Sequence, residues 1–247
     1  MESVFVSSLL QKAGVKHGFL TKRDPEGRQG EPELNIAYGR SQSEKIVDEN
    51  RQRVIRFFGL SPGHSFFSKQ THSPNVYTVD DLQRSVPEET DALVTALPRV
   101  LLAVFTADCI PLLMADPEAN VVAAVHASWR TMKQGIIAAT VEAMKKKGAR
   151  RILVSLGPSI HVGHYEVQAE FLGNFPEDRE CTLQRGDNLF FDLRKLAVKR
   201  LRQAGAEEVD AVEEDTYEKE DLFYSFRRST ERNEPLDGAQ ASVIVTG

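Results

Sequence analysis

VLLAVFTADCIPLLMAD, residues 100–116, decides the fold. An apolar run meets a polar break at Thr106 to Asp108, takes in Cys109, and resumes as a second apolar run after Pro111. VVAAVHASWR, residues 121–130, follows almost at once. Runs this continuously apolar read as strands buried on both faces, which require cover above and below. The links between them are too short for a helical crossover, so neighbouring strands must include antiparallel pairs. Helices alternate with strands elsewhere, giving an α+β chain with mixed sheets and arguing against a pure Rossmann or TIM architecture.

Outward from this centre, Ile46, Val47, Val54, Ile55 and Phe58 place an apolar stripe on a helix over 43–58, stopped by Gly59 and Pro62. The stripe Met132, Ile136, Ile137, Thr140, Val141 and Met144 predicts a helix over 131–147, with three lysines and Gly148 at its carboxyl end. A third amphipathic helix is expected over 189–204, with Leu193, Leu196, Ala197 and Leu201 inward. Strands are expected near 65–69, 76–79 and 92–94, in RRILVSLGP, and in the terminal ASVIVTG; residues 22–34 read as an exposed loop. No internal repeat interrupts the pattern, and residues 1–247 are expected to form one domain.

With 41% hydrophobic and 27% charged residues, the chain has enough apolar mass for a substantial core. Its net charge of −5 and dispersed basic residues argue against nucleic-acid or membrane-surface partners. The first residues lack a signal-peptide pattern, and Cys109 and Cys181 are too few for a disulfide framework, so a cytoplasmic setting is expected.

Three soft donors stand at the ends of expected strands: His72 in FFSKQTHSPNV, Cys109, and His126. Two imidazoles and a thiol suit either a zinc site with one open position or a thiol–imidazole catalytic centre. Cysteine is commonly inert core, but the polar break before Cys109 is one that packing does not require. Asp108 can share the cleft with Cys109 only if the strand has already broken, since adjacent side chains on a strand face opposite ways. Arg130, at the first turn of the next helix, is a candidate phosphate contact or a solvated cap. Arg227 and Arg228 are either an anion site or an exposed pair, His161 and His164 are rim residues at most, and Cys181 reads as a surface or edge thiol.

At FFSKQTHSPNV, FTADCIPLLMAD and AAVHASWR the chain resembles the YfiH family, long called multicopper polyphenol oxidase or laccase-domain proteins and associated with purine nucleoside phosphorylase activity. The likeness continues through GPSIHVGHYEV, FFDLRKLAVKRLRQAGA and LFYSFRR to GAQASVI. It implies a mixed β-sandwich flanked by helices, like the cytotoxic necrotizing factor catalytic domain. It also implies that His72, Cys109 and His126 are the metal-binding or catalytic set. The chain departs from the family at Ser128 and Thr131 in place of glycines, at Ser159 and Asp215 in place of cysteines, and at Ala239 in place of the arginine of a GR pair.

The family's older name implies copper, but six histidines without a His-X-His pair do not furnish a type 1 copper and a trinuclear cluster. The resemblance instead implies phosphorolysis of adenosine, inosine and methylthioadenosine, with adenosine deamination, at a His2Cys zinc site. Asp108 would then serve the departing purine, and Arg130 and Arg227 the phosphate. The competing expectations are a cysteine hydrolase or amidase using Cys109 and His126, and a zinc-stabilised binding protein without turnover.

Overall fold

Residues Leu101–Thr106 and Ile110–Asp116 are both strands, but they belong to different sheets. Ala107, Asp108 and Cys109 carry the chain from one layer to the next. This corrects the short-link reading at that point, because a chain stepping between stacked sheets has the same apolar–polar–apolar pattern as a hairpin. The link from Asp116 to Val121 does join antiparallel neighbours.

The computed structural model describes residues 3–206 and 208–247. Its strands are β1 (Val4–Phe5), β2 (Lys16–Leu20), β3 (Ser65–Phe67), β4 (Val76–Val79), β5 (Ala92–Thr95), β6 (Leu101–Thr106), β7 (Ile110–Asp116), β8 (Val121–Ala127), β9 (Leu153–Leu156), β10 (Glu166–Val167), β11 (Thr182–Arg185), β12 (Asn188–Phe191), β13 (Glu208–Ala211) and β14 (Gln240–Val245). The helices are α1 (Ser8–Lys12), α2 (Glu44–Phe57), α3 (Trp129–Lys133), α4 (Ile136–Lys146), α5 (Leu193–Ala204) and α6 (Phe226–Glu231). One sheet runs β1-β2-β14-β6-β3, the other β13-β9-β7-β8-β5-β4, and β10-β12-β11 forms a small third sheet. Pairing is mixed: β3 and β6 are parallel, while β14 and β6 are antiparallel.

Strand alternation explains why both apolar runs are continuous. Leu102 and Val104 face Leu113, Ala115, Val122 and Ala124 between the sheets. Leu101 and Ala103 point the other way, under Leu34, Ile36, Val54 of α2 and Phe58 just after it. Leu112, Met114, Ala123 and Val125 lie beneath Ile136, Val141 and Met144 of α4 and Leu196 and Leu201 of α5. The result is helix, sheet, sheet, helix, an α+β sandwich in which each fully buried aliphatic side chain contributes roughly 1.5–3 kcal/mol.

Two expected helices differ from the observed ones. The stripe over 131–147 is two helices, because Gly135 adopts the left-handed conformation (φ 87) between Lys133 and Ile136. The start of the 189–204 helix is instead β12, which pairs with β10 and β11; the helix begins at Leu193, where the Asp192 side chain accepts from the Lys195 amide at 2.8 Å. Cys181 is not a surface or edge thiol: it is 1% exposed, packs in the core beside Phe175 and Phe191, and burial pushes its thiol pKa up to about 11. Within the 22–34 loop, Glu26 to Glu33 are exposed as expected, whereas Asp24 and Leu34 are buried. No helix among the described residues is long and apolar enough to cross a membrane.

Candidate active site

The interlayer step builds the site. Asp108 sits at φ 95, a left-handed conformation unusual for a residue with a side chain, and this ends strand geometry just before Cys109. Cys109 is therefore half-buried at the end of the link rather than locked into a sheet. His126, near the end of β8, lies opposite Pro111 in the β7 register. His72 is also left-handed (φ 63), in the turn after β3. The His72 and His126 rings meet edge to face with centroids 4.8 Å apart. One donor atom each from His72, Cys109 and His126 lies within 4.8 Å of the others, so the three strand-end donors converge.

Asp91, which sequence reasoning did not single out, organises this group. It is fully buried, just ahead of β5, and accepts backbone N–H bonds from Thr71, His72 and Ser73, each at 3.0 Å. Its Oδ1 also accepts from His126 Nδ1 at 2.7 Å, and the His126 amide donates to the Asp91 carbonyl at 2.8 Å. One carboxylate thus fixes the His72 turn and the ring of His126, leaving His126 Nε2 to face Cys109. The sequence signal, one acidic residue before ALVT, is no different from that of an ordinary strand end.

The electrostatics follow from these contacts. Burial alone would raise the Asp91 pKa, but the His126 bond and the backbone amides hold it below the usual carboxylate range. Burial opposes a charge on His126, yet Cys109 and Asp91 overcome it and raise its pKa to about 9. His72 goes the other way: burial, the neighbouring His126 and Arg130 push its pKa down to about 4. A neutral imidazole beside a protonated one next to a thiol is a poised arrangement for either chemistry expected of it. His72 Nδ1 is buried with no hydrogen-bond partner among the described residues. An orphaned ring nitrogen in a His–Cys–His cluster fits a metal ligand, and the donor set suits a borderline-soft ion such as zinc.

These residues line a cleft of about 710 Å³ walled by Phe105, Trp129 and Tyr165. Asp108 lines it as well, but both of its oxygens are engaged: Oδ1 accepts from Thr216 Oγ1 at 2.7 Å, and Oδ2 from Ser225 Oγ at 3.0 Å and the Arg227 amide at 2.7 Å. Burial raises its pKa despite these bonds. Arg130 projects at the cleft from α3, its guanidinium 4.4 Å from the Trp129 ring centroid. At the first turn of α3 two amides are already taken by a reciprocal cap: the Thr131 amide donates to Ser128 Oγ and the Ser128 amide to Thr131 Oγ1. That cap gives a local reason for both departures from glycine. Arg227 lines the cleft but donates to the carbonyls of His164 and Glu166, at 3.2 and 2.8 Å. Arg228 is not an exposed residue: it is buried and donates to the carbonyls of Thr216, Tyr217 and Phe223. His164 lies outside the cleft lining, with Nδ1 2.8 Å from Asp215 and its ring stacked on Tyr217; with Asp215 and Glu218 it forms a second group of possible metal donors.

Comparison with known proteins gives the same family throughout. A purine nucleoside phosphorylase of Corynebacterium glutamicum is 31% identical over 242 residues, covering 93% of this chain and 94% of that protein. The purine nucleoside phosphorylase YfiH of Shigella flexneri is 31% identical over 199 residues, covering 79% and 81%. Among solved structures, Neisseria meningitidis protein NMB0706 superposes with a TM-score of 0.84 at 28% identity over 99% of both chains. YfiH of Bacillus licheniformis shares the fold with a TM-score of 0.87 at 23% identity, covering 100% of this chain and 97% of that one. Residues 16–247 match the family model described as multi-copper polyphenol oxidoreductase laccase, and with its strand-end His, Cys and His donors brought together in one cleft, the chain belongs to that family, the family of YfiH.

Proposed function

We propose that this chain is a purine nucleoside phosphorylase that takes adenosine, inosine and methylthioadenosine with phosphate, deaminates adenosine as a side activity, and holds zinc on His72, Cys109 and His126. The observation that carries this reading is the cleft: an aromatic-walled cavity lined by both the His–Cys–His group and Arg130. The relatives bearing the phosphorylase name support the substrate class. In phosphorolysis a phosphate oxygen attacks the anomeric carbon, and the glycosidic bond breaks with its electron pair leaving on the purine. The aromatic walls would hold the base by stacking, and Arg130 would hold the phosphate. A bound zinc would supply a Lewis acid to polarise a group beside it. Asp108, expected to serve the departing purine, has both oxygens committed, so in this reading it holds the interlayer step and the start of α6.

The test is a screen of adenosine, inosine and methylthioadenosine with and without phosphate, with products resolved by chromatography and metals by elemental analysis. Phosphate-dependent release of free purine, slower conversion of adenosine to inosine, and about one zinc per chain are expected. Several coppers per chain with blue absorption, or no nucleoside consumed at any phosphate concentration, would overturn it. A second reading has its own observation, the Cys109–His126–Asp91 series, in which a thiol faces an imidazole oriented by a carboxylate. Metal-independent, Cys109-dependent cleavage of an amide would favour that cysteine hydrolase.

A further inference from the structure

Three arginines line the cleft: Arg40, Arg130 and Arg227. Arg227 is satisfied by two carbonyls of the wall. The guanidinium groups of Arg40 and Arg130 have no carboxylate or carbonyl partner among the described residues. Both residues line one cleft with their charge uncompensated by a carboxylate, and planar guanidinium forks match the oxygens of a phosphate.

The backbone that carries Arg40 is anchored on both sides. Before it, Asn35 Oδ1 accepts from the amides of Ala37 and Ala239, at 2.9 and 3.0 Å. The Tyr38 hydroxyl donates to Asp48, and the Arg51 guanidinium lies 4.1 Å from the Tyr38 ring centroid. Gly39 turns the chain through the left-handed region at φ 70. After it, Ser41 Oγ donates to the Asp237 carbonyl at 2.9 Å. An exposed arginine on a tethered turn loses less freedom on binding than one on a loose loop. Ala239, tied to the same turn through Asn35, lines the cleft with only a methyl group. The positive charge on this wall therefore comes from Arg40.

We propose that Arg40 and Arg130 form a two-arginine oxyanion site in the cleft that binds phosphate, either free or as the monoester of a small nucleotide. Its place in phosphorolysis rests on the function proposed above, but binding itself does not. Calorimetric titration of the protein with inorganic phosphate, and separately with adenosine 5′-monophosphate, tests the site without turnover. Arg40→Ala and Arg130→Ala should each weaken binding of at least one of these ligands about tenfold or more, as loss of a charge-assisted hydrogen bond does. Arg84→Ala, outside the cleft, should leave binding unchanged, and circular dichroism checks each variant's fold. If free phosphate is the ligand, Arg40→Ala also raises the KM for phosphate while the KM for nucleoside stays put. If the monoester is the ligand, only adenosine 5′-monophosphate binding depends on Arg40. Binding of both ligands undiminished in Arg40→Ala, or absent from the unmodified protein, overturns the proposal. Arg40-dependent phosphate binding without phosphorolysis would sink the proposed activity and leave the site standing.

Discussion

Asp91 holds two histidines through one carboxylate, so a change there should reach both. In Asp91→Asn the amide cannot accept as many hydrogen bonds, and its NH2 group would face either His126 Nδ1 or the amides of the His72 turn. The expected loss is about 10- to 100-fold in kcat/KM or metal affinity, as for other partners that orient a ligand. Steady-state kinetics alongside metal content measure it, and unchanged values in both would show that Asp91 only packs. The two cysteines should separate cleanly. Cys109→Ser should abolish activity with little change in melting temperature. Cys181→Ser should keep activity but lose about 1–3 kcal/mol of stability, because an unpaired hydroxyl replaces a thiol inside an apolar cluster. Activity assays with thermal and denaturant melts of both variants check this.

At the scale of elements, α2 is tied to the loop before it by buried charge. Asp24 is 5% exposed and pairs with Arg53 of α2 and with Arg28. Burial would raise the Asp24 pKa, but hydrogen bonds from Arg28 and Arg53 hold it well below the usual carboxylate range. A folded-state pKa lower than the unfolded one means that this pair's contribution is fully present above about pH 4 and fades as pH falls toward the folded value. Urea midpoints measured from pH 6 down to pH 2.5 should therefore drop more steeply in the unmodified protein than in Asp24→Asn, which starts lower. Parallel curves would mean the pair is energetically silent. The same scale shows where one-dimensional patterns mislead. The stripe from Met132 to Met144 lies on one face in two helices because Gly135 turns between them without losing the apolar alignment. Leu189, four residues before Leu193, fits the helical stripe by spacing until β10 and β11 are present to pair with it.

At the scale of the whole molecule, the two sheets come into direct contact where β9 ends. A Cβ on Gly157 would lie 2.3 Å from the Phe19 ring of the facing sheet and 2.7 Å from Pro111 Cγ, so both neighbours would have to move. Gly157→Ala should therefore cost about 3 kcal/mol or prevent folding, at the upper end of overpacking effects. Gly63→Ala, whose Cβ would meet nothing within 4 Å, is the control. A thermal melt of Gly157→Ala indistinguishable from that control would mean the interlayer gap is softer than it looks.

The amino-acid sequence by itself determined the class of fold, because continuous apolar runs and helical stripes within 43–58 and 131–147 are local properties of the chain. It also marked His72, Cys109 and His126, since soft donors at the ends of apolar runs stand out without knowledge of their neighbours. Only the tertiary structure decided that the break at Asp108 changes sheets, that Asp91 joins the two histidines, that Cys181 is core, and that Arg40 reaches the cleft while Arg227 is spent on its wall. The physical reason is common to all four: each depends on contacts between residues far apart along the chain, and a side chain's partners across a sheet stack or a loop leave no periodicity in the sequence around it.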